Sequence, residues 1–511
     1  MVILALAVVA FMSNRLPLGI VALGVALSLW ATGILTLNEA LAGFGDPTVI
    51  FIAALFVVSE ALNVTGVTFW AAQQVLSRSG RQGTLLTLVC LLGAGLTALI
   101  SVNGAVAALI PMVVVVAVRI GAGPSRMLMP LAFAAHAGSL LLLTGTPVNI
   151  LVSQAAVDAG SRPFGFFEFA LTGLPLLAVT IVFIALFGRR LLPERASATL
   201  PADVSSQMVA LRLQYELPSD TELASSKKGY AEVVIPPRSP LVGQRVFRGM
   251  ATASGDLVVL GLQRGGENVL DDQARLKPGD TVLVRGRWEH LEVHTARSDV
   301  LVVDDPAALR RAVPLGVGAK RAIGILAAMV VLLATGAVPA AVAALLAACA
   351  MVLSGVLNPK QAYRAVSWTT VVLVGGMIPL STAFISTGAA DAIASRLLGA
   401  IGDSSPQLAL LALCVLTVIL GQLISNTATV LIMIPIATAV AADLHVSVLP
   451  FMMALTVAGA ASFLTPVATP ANTMVMEPGG YRFTDYWKLG LPLLLIYVVV
   501  AVLWVPLIWH F

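Results

Sequence analysis

Ile424-Ser425-Asn426-Thr427 interrupts the apolar run 405–442 near its middle, and Thr469-Pro470-Ala471-Asn472 follows within the next apolar run. The same pair of interruptions occurs earlier, as Ile100-Ser101-Val102-Asn103 inside the apolar run 84–119 and then Thr146-Pro147-Val148-Asn149. The serine-to-asparagine separation is 48 residues in the first case and 47 in the second. Sliding the chain on itself by 322–324 residues also brings Pro17 onto Pro339, Gly33 onto Gly355, Gly66 onto Gly388 and Pro111 onto Pro435. The chain therefore reads as two copies of one unit.

Composition says what kind of unit. Of 511 residues, 58% are apolar and 11% charged, against roughly 25% charged in a soluble domain. Only a bilayer absorbs that much apolar surface. Residues 193–312 nevertheless carry 15 of the 30 Lys/Arg and 16 of the 26 Asp/Glu, so a soluble insert separates two apolar halves. The expected organisation is a first transmembrane repeat over 1–192, a soluble domain over 208–304 and a second transmembrane repeat over 316–511. The net charge of +4 comes from residues flanking the apolar runs and gives no support for binding a nucleic acid polymer. Cys90, Cys349 and Cys414 each sit in an apolar run and read as small buried hydrophobes.

Counting about 20 apolar residues per crossing places spans near 1–13, 17–36, 47–66, 127–158 and 168–190, and near 322–335, 338–356, 368–387, 450–475 and 486–508. The runs 84–119 and 405–442, broken at their centres, read as re-entrant hairpins. Five crossings per half is odd, so the halves are expected to be inverted relative to each other, as in secondary transporters. With the insert cytoplasmic, Arg15, Arg78, Arg81, Arg119, Arg126, Arg189, Arg190, Lys320, Arg321, Lys360, Arg364, Arg482 and Lys488 lie on the inner side, and only Arg162 and Arg396 lie outside. Glu39, Asp46, Asp158, Glu168, Asp391, Asp403 and Asp443 share the outer side. This is the bias of a plasma-membrane protein with both termini outside. The fold class expected is a polytopic α-helical membrane protein with two inverted repeats, each holding a hairpin and a broken helix, and one small α/β cytoplasmic domain.

Unwound backbone at membrane depth is tolerated where it lines a polar cavity or is packed in protein. The expected interruptions are the two hairpin tips, Gly145–Asn149 and Thr465–Asn472. Each presents a half-helix N-terminus, whose free N–H groups favour an anion, beside hydroxyl, amide and carbonyl oxygens suited to a hard cation. The plainer reading is four kinks with satisfied polar groups, which matched pairs at matched spacing disfavour.

At these residues the sequence resembles the divalent-anion/sodium symporter family, the citrate, dicarboxylate and sulfate permeases, whose hairpin tips carry Ser-Asn-Thr and whose following helices break at a Thr-Pro. Ser425-Asn426-Thr427 matches a tip fully; Ala468-Thr469-Pro470-Ala471-Asn472 and Gly145-Thr146-Pro147-Val148-Asn149 resemble the breaks. The first tip departs, with Val102 where asparagine is expected and Asn103 one position on. The resemblance implies a sodium-coupled symporter of small divalent anions that moves a transport domain against a scaffold as a homodimer. It implies substrate binding by Ser101, Asn103, Thr146, Pro147, Ser425, Asn426, Thr427, Thr469 and Pro470. It implies sodium binding by Ser101, Asn103, Gly145, Asn149, Ser425, Asn426, Ala468 and Asn472, with Na+ as coupling ion and no organic cofactor. For Glu60, a role in transport and a snorkelling or helix-paired side chain both stay open; for His136, a proton or substrate role stands beside a packing role.

In the insert, Ala231-Glu232-Val233-Val234-Ile235, Asp256–Leu262 and Asp280–Gly286 read as strands, with short helices at Pro240–Arg245 and from Trp288. The phrases Pro240-Leu241-Val242-Gly243, Arg264-Gly265-Gly266 and Lys277-Pro278-Gly279-Asp280 resemble the TrkA C-terminal type of regulatory domain. That resemblance implies a dimer-supporting role or a small regulatory ligand. Two rival functions stay open: a proton-coupled organic-anion transporter using Glu60 or His136, and an ion channel gated by the TrkA-type domain. The latter lacks a Thr-Val-Gly-Tyr-Gly filter. No nucleophile–base set or metal cluster supports an enzyme.

Overall fold

The computed structural model describes all residues except 1, 14, 77–81, 121, 196–209, 219–224, 226–227, 253, 270–272, 296–297, 304–305, 307–308, 310–315, 317, 402–404 and 467. Arg78, Arg81 and Asp403 of the charge-bias reading thus lie outside the described residues, as do the side chains of Arg119 and Asp391.

The first half runs α1 (Val2–Ser13), α2 (Leu18–Ala31), α3 (Leu37–Leu41), α4 (Pro47–Val64), α5 (Val67–Leu76), α6 (Gln82–Leu99), α7 (Val102–Arg119), α8 (Leu128–Gly138), α9 (Pro147–Asp158) and α10 (Ala170–Leu191). The insert holds β1 (Lys228–Val234), β2 (Leu257–Arg264), β3 (Glu267–Asn268), β4 (Thr281–Arg287), α11 (Trp288–Thr295) and β5 (Leu301–Val302). The second half runs α12 (Ala319–Thr335), α13 (Ala340–Leu353), α14 (Pro359–Ala365), α15 (Trp368–Ser386), α16 (Ala389–Ile401), α17 (Pro406–Gly421), α18 (Asn426–Asp443), α19 (Leu449–Ala460), α20 (Pro470–Met476) and α21 (Tyr486–Val499), which continues through a π turn to Ile508.

Many of these helices start on one local device, a polar cap followed by proline. Asp46-Pro47, Thr146-Pro147, Asn358-Pro359, Ser405-Pro406 and Thr469-Pro470 all place proline in the first turn, where its missing N–H costs nothing and its fixed φ suits the helix. Prolines expected to mark the breaks therefore start the next half-helix instead. The chain leaves the α-helix over 139–146, with a 3-10 turn at Leu143–Gly145, and over 461–466 and 468–469, and Pro147–Asn149 and Pro470–Asn472 are helical. This corrects the expected positions of both breaks. Two further helices, α5 and α16, lie beyond the expected spans and occupy equivalent places, between the third span and the hairpin of each half.

Packing is reciprocal between the halves. Helix α2 packs on α15 and α4 on α13; α8 packs on α20 and α19 on α9; α7 packs on α20 and α18 on α9. Helices α8 and α19 are buried on nearly every side, while α10 and α21 present Leu174, Leu186, Leu495 and Val499 outward. Glycines let the last helix of each half seat on its break. A Cβ on Gly173 would stand 2.1 Å from the Leu140 carbonyl oxygen, and one on Gly490 would stand 2.2 Å from that of Phe463. Leu140 and Phe463 are repeat partners.

Among the described residues, Leu37–Val64, Gln82–Leu99, Ala170–Leu191, Asn426–Asp443 and Phe483–Ile508 are long and apolar enough to cross a membrane, and Pro359–Ala365 with Trp368–Phe384, bent by 54°, makes a sixth. Two of these are hairpin arms. Helices α1, α2, α12 and α13 run 12, 14, 17 and 14 residues, so length alone does not supply the ten expected crossings.

The insert forms a five-stranded antiparallel sheet in the order β3-β2-β4-β1-β5, with its own core around Tyr230, Leu283, Trp288 and Leu291. The helix expected from Trp288 is present, but Pro240–Gly243 is a turn and Arg245 forms an isolated bridge to Arg275; proline and a left-handed Gly243 (φ 84°) leave too little helix-forming sequence between them. The phrases around Arg264 and Asp280 meet in space. The Arg264 guanidinium donates two hydrogen bonds of 2.8 Å to the Asp280 carboxylate, which also accepts the Lys277 N–H. Burial alone would raise the Asp280 pKa, but Arg264 and the Lys277 N–H outweigh it and hold this carboxyl below its ordinary range.

Candidate functional site

The two tips and the two breaks converge on one cavity of about 510 Å³. Each contributes a hydroxyl that caps a helix. Ser101 accepts the Gly104 N–H at the start of α7, and Ser425 accepts the Ala428 N–H at the start of α18. Thr146 accepts the Val148 N–H at the start of α9, and Thr469 accepts the Asn472 N–H at the start of α20. The first turns of four helices therefore face a shared space, and helix N-termini carry unsatisfied N–H groups and partial positive charge. Among the described residues no lysine or arginine lines it. An anion here meets backbone dipoles and neutral donors.

All nine residues expected to bind substrate line this cavity: Ser101, Asn103, Thr146, Pro147, Ser425, Asn426, Thr427, Thr469 and Pro470. Gly145 and Ala468 line it too. Asn149 and Asn472 do not; both are fully buried behind it. Asn149 Nδ2 donates to the carbonyls of Ser139 and Leu142, each at 2.8 Å. Asn472 Nδ2 donates to those of Ser462 and Thr465, at 2.8 and 3.2 Å. Ser139 and Ser462, Leu142 and Thr465, and the two asparagines are all related by the same offset of 323 residues. In each half the asparagine gathers the unwound carbonyls, and its own Oδ1 is buried without a hydrogen-bond partner. A buried, unpartnered amide oxygen beside unwound carbonyls is the donor chemistry a hard cation takes.

Each break is tied to the tip of its own half. Thr144 Oγ1 donates to the Ala98 carbonyl at 3.1 Å. Gln422 donates to the Ala461 carbonyl at 3.1 Å and accepts the Leu464 N–H at 3.0 Å. The Ser462 hydroxyl donates to Asn426 Oδ1. The first tip has Val102 where the second has Asn426, and Ser139, the partner of Ser462, donates instead to the His136 carbonyl at 2.8 Å. A Cβ on Gly145 would stand 2.3 Å from the Ser139 oxygen, so glycine permits the backbone to fold back there.

Glu60 and His136 both line the cavity. Ser59, Asn63, Ser139, Thr370 and Thr456 also line it without having been singled out. For Ser139, the recurrence of serine at Ser462 in the repeat register was a signal in the sequence. Asn63 and Thr370 reach the cavity only through packing and left no such mark.

A polytopic helical chain whose half-helices converge on a polar cavity has the architecture of a membrane transporter. A profile of the citrate transporter family matches residues 8–408, and one described as the sodium:sulfate symporter transmembrane region matches residues 308–511. The chain belongs to the citrate transporter family, among the divalent-anion/sodium symporters. It is 31% identical to the uncharacterized transporter YfbS of Escherichia coli across all of this chain and 98% of that one. It is 30% identical to the probable sodium/sulfate cotransporter 3 of Chlamydomonas reinhardtii across 52% of this chain and 30% of that one. The crystal structure of the Alcanivorax borkumensis YdaH transporter is similar in fold, with a TM-score of 0.50 at 16% identity, over 94% of this chain and 89% of that one.

Proposed function

We propose that the protein is a sodium-coupled symporter of small divalent anions of the sulfate or dicarboxylate type. The observation that carries this reading is the convergence of four hydroxyl-capped helix N-termini on a cavity with no lysine or arginine among its described residues. Behind it, Asn149 and Asn472 each hold a buried Oδ1 without a hydrogen-bond partner, while their Nδ2 groups donate to the unwound carbonyls. The helix ends take the anion and the asparagine pockets take sodium, so each offsets charge for the other. The sodium/sulfate names of the family profile and of the algal relative point the same way.

The reciprocal packing supports inverted repeats, and the charge bias supports a plasma-membrane orientation with the insert cytoplasmic. Alternating access by an elevator motion of the tip-and-break unit, assembly as a homodimer, and a TrkA C-terminal-type insert that binds a small regulator complete the proposal. Proton coupling is the second reading, favoured by Glu60 and His136 both lining the cavity.

The test is uptake of labelled sulfate, succinate and citrate into proteoliposomes under a sodium gradient or a proton gradient. Sodium-driven uptake of at least one anion, abolished in Asn426→Ala, is expected. Uptake driven by protons in sodium-free buffer supports the second reading.

A further inference from the structure

The asparagine contacts repeat in both breaks, but a contact between the halves does not. His136, in the last turn of α8, places Nε2 3.2 Å from Thr469 Oγ1 in the opposite half. The imidazole is 3% exposed, lines the cavity and meets the Phe463 ring edge-on at 5.9 Å. The Asn472 amide faces the same imidazole without a hydrogen bond of good geometry. The position equivalent to His136 in the repeat is Gly459, which has no side chain to offer Thr146.

A hydroxyl has one proton and two lone pairs. Thr469 spends one lone pair on the Asn472 N–H. If its proton points into Nε2, it has nothing to offer the cavity. If Nε2 carries the proton and donates into the second lone pair, the Thr469 proton is free to turn toward a ligand. An anion whose oxygens only accept selects the second arrangement.

Resting on the anion-site reading above, we propose that His136 is a positioning residue which donates Nε2–H to Thr469 and thereby aims the Thr469 hydroxyl at an oxygen of the bound anion. The cavity is then asymmetric, with its second half a committed donor to a deprotonated oxygen.

The test is sulfate and succinate uptake by the full-length protein in proteoliposomes. His136→Phe and His136→Leu keep apolar bulk but remove the donor, whereas His136→Gln keeps an N–H. Both donorless variants are expected to raise KM about tenfold with sodium half-saturation unchanged, and His136→Gln to restore it within about threefold. Thr469→Val should raise KM similarly, and the double variant His136→Phe/Thr469→Val no further. If His136→Phe does not fold, His136→Leu is read in its place. An unchanged KM in the donorless variant, a failure of His136→Gln to restore it, or additive effects overturn the role of His136 alone. A wild-type protein that takes up neither anion under any gradient overturns the anion site and this role together.

Discussion

Asn149 and Asn472 each spend one amide nitrogen on two backbone carbonyls of the break, and of these four Leu142 also accepts the Gly145 N–H at 3.0 Å. Removing one takes the side-chain donor from these carbonyls, at about 1–3 kcal/mol for a buried group left unpaired. Asn149→Ala and Asn472→Ala are each expected to raise the sodium concentration for half-maximal uptake at least tenfold and to lower thermal stability in detergent. A variant that unfolds more easily but keeps its sodium dependence would leave the asparagines as structural braces only. Gly145 offers a sharper contrast, because its repeat partner Ala468 already carries a Cβ. Gly145→Ala drives a methyl to within 2.3 Å of the Ser139 oxygen and should abolish uptake, while Ala468→Gly should retain it. Equal tolerance of both changes would mean that the first break does not need its close backbone approach. At this scale the sequence was legible. Residue types that cap helices or gather carbonyls announce themselves, and their repetition at a fixed offset separates them from chance. What escaped was the side of the proline on which the chain unwinds, since half of 139–146 is leucine and the segment is held open by its own Thr144 and, from a distance, by Asn149 and α10.

At the level of elements, each break is seated by the helix that ends its half. Gly490→Ala puts a methyl against the Phe463 carbonyl, where overpacking typically costs about 1–3 kcal/mol. Uptake should fall and the melting temperature drop, most directly read by thermal unfolding of the detergent-solubilised protein; an unchanged melting temperature would contradict the seating. A second fixture joins the exit of the first half to the second. Arg195 donates to the Gly480 carbonyl and the Asp485 carboxylate, both at 2.7 Å, and its own N–H reaches Ser125 Oγ. Tyr481 donates to the Ser125 carbonyl and accepts the Met129 N–H. Asp485→Asn should destabilise the protein by about 1–3 kcal/mol in the same unfolding assay. Within the insert, Asp280 has a folded pKa below its ordinary value, so the stability it contributes is present above about pH 3.9 and is lost as pH falls through the folded value. Hydrogen exchange of β2 and β4 in the full-length protein should accelerate over that acid range, and Asp280→Asn should flatten the response. Strands in the insert could be read from alternation and turns, whereas the Arg264–Asp280 pairing that locks two of the resembling phrases together is a tertiary fact.

For the whole molecule, the order of elements was legible because each half repeats it, and the cavity was legible only in part. Tips and breaks carry motifs and Glu60 stands out as an acid in an apolar span; Asn63 and Thr370 arrive from α4 and α15 through helix packing that no local pattern records. None of the described residues of the insert lines the cavity, so exchanging 208–304 for a flexible linker of matching reach should leave anion KM nearly unchanged and alter the maximal rate instead. A collapse of affinity in a folded deletion would make the insert part of the site. The orientation is checked by single cysteines at Asn38 and Arg238, both exposed, in a cysteine-free background. In right-side-out vesicles an impermeant maleimide should label the first and spare the second. The most direct measurement is the sodium dependence of sulfate and succinate uptake into proteoliposomes. Saturable uptake that rises steeply with external sodium, and that shifts to higher sodium in Asn149→Ala and Asn472→Ala, is the predicted result; full uptake in sodium-free buffer by wild type and both variants would contradict it.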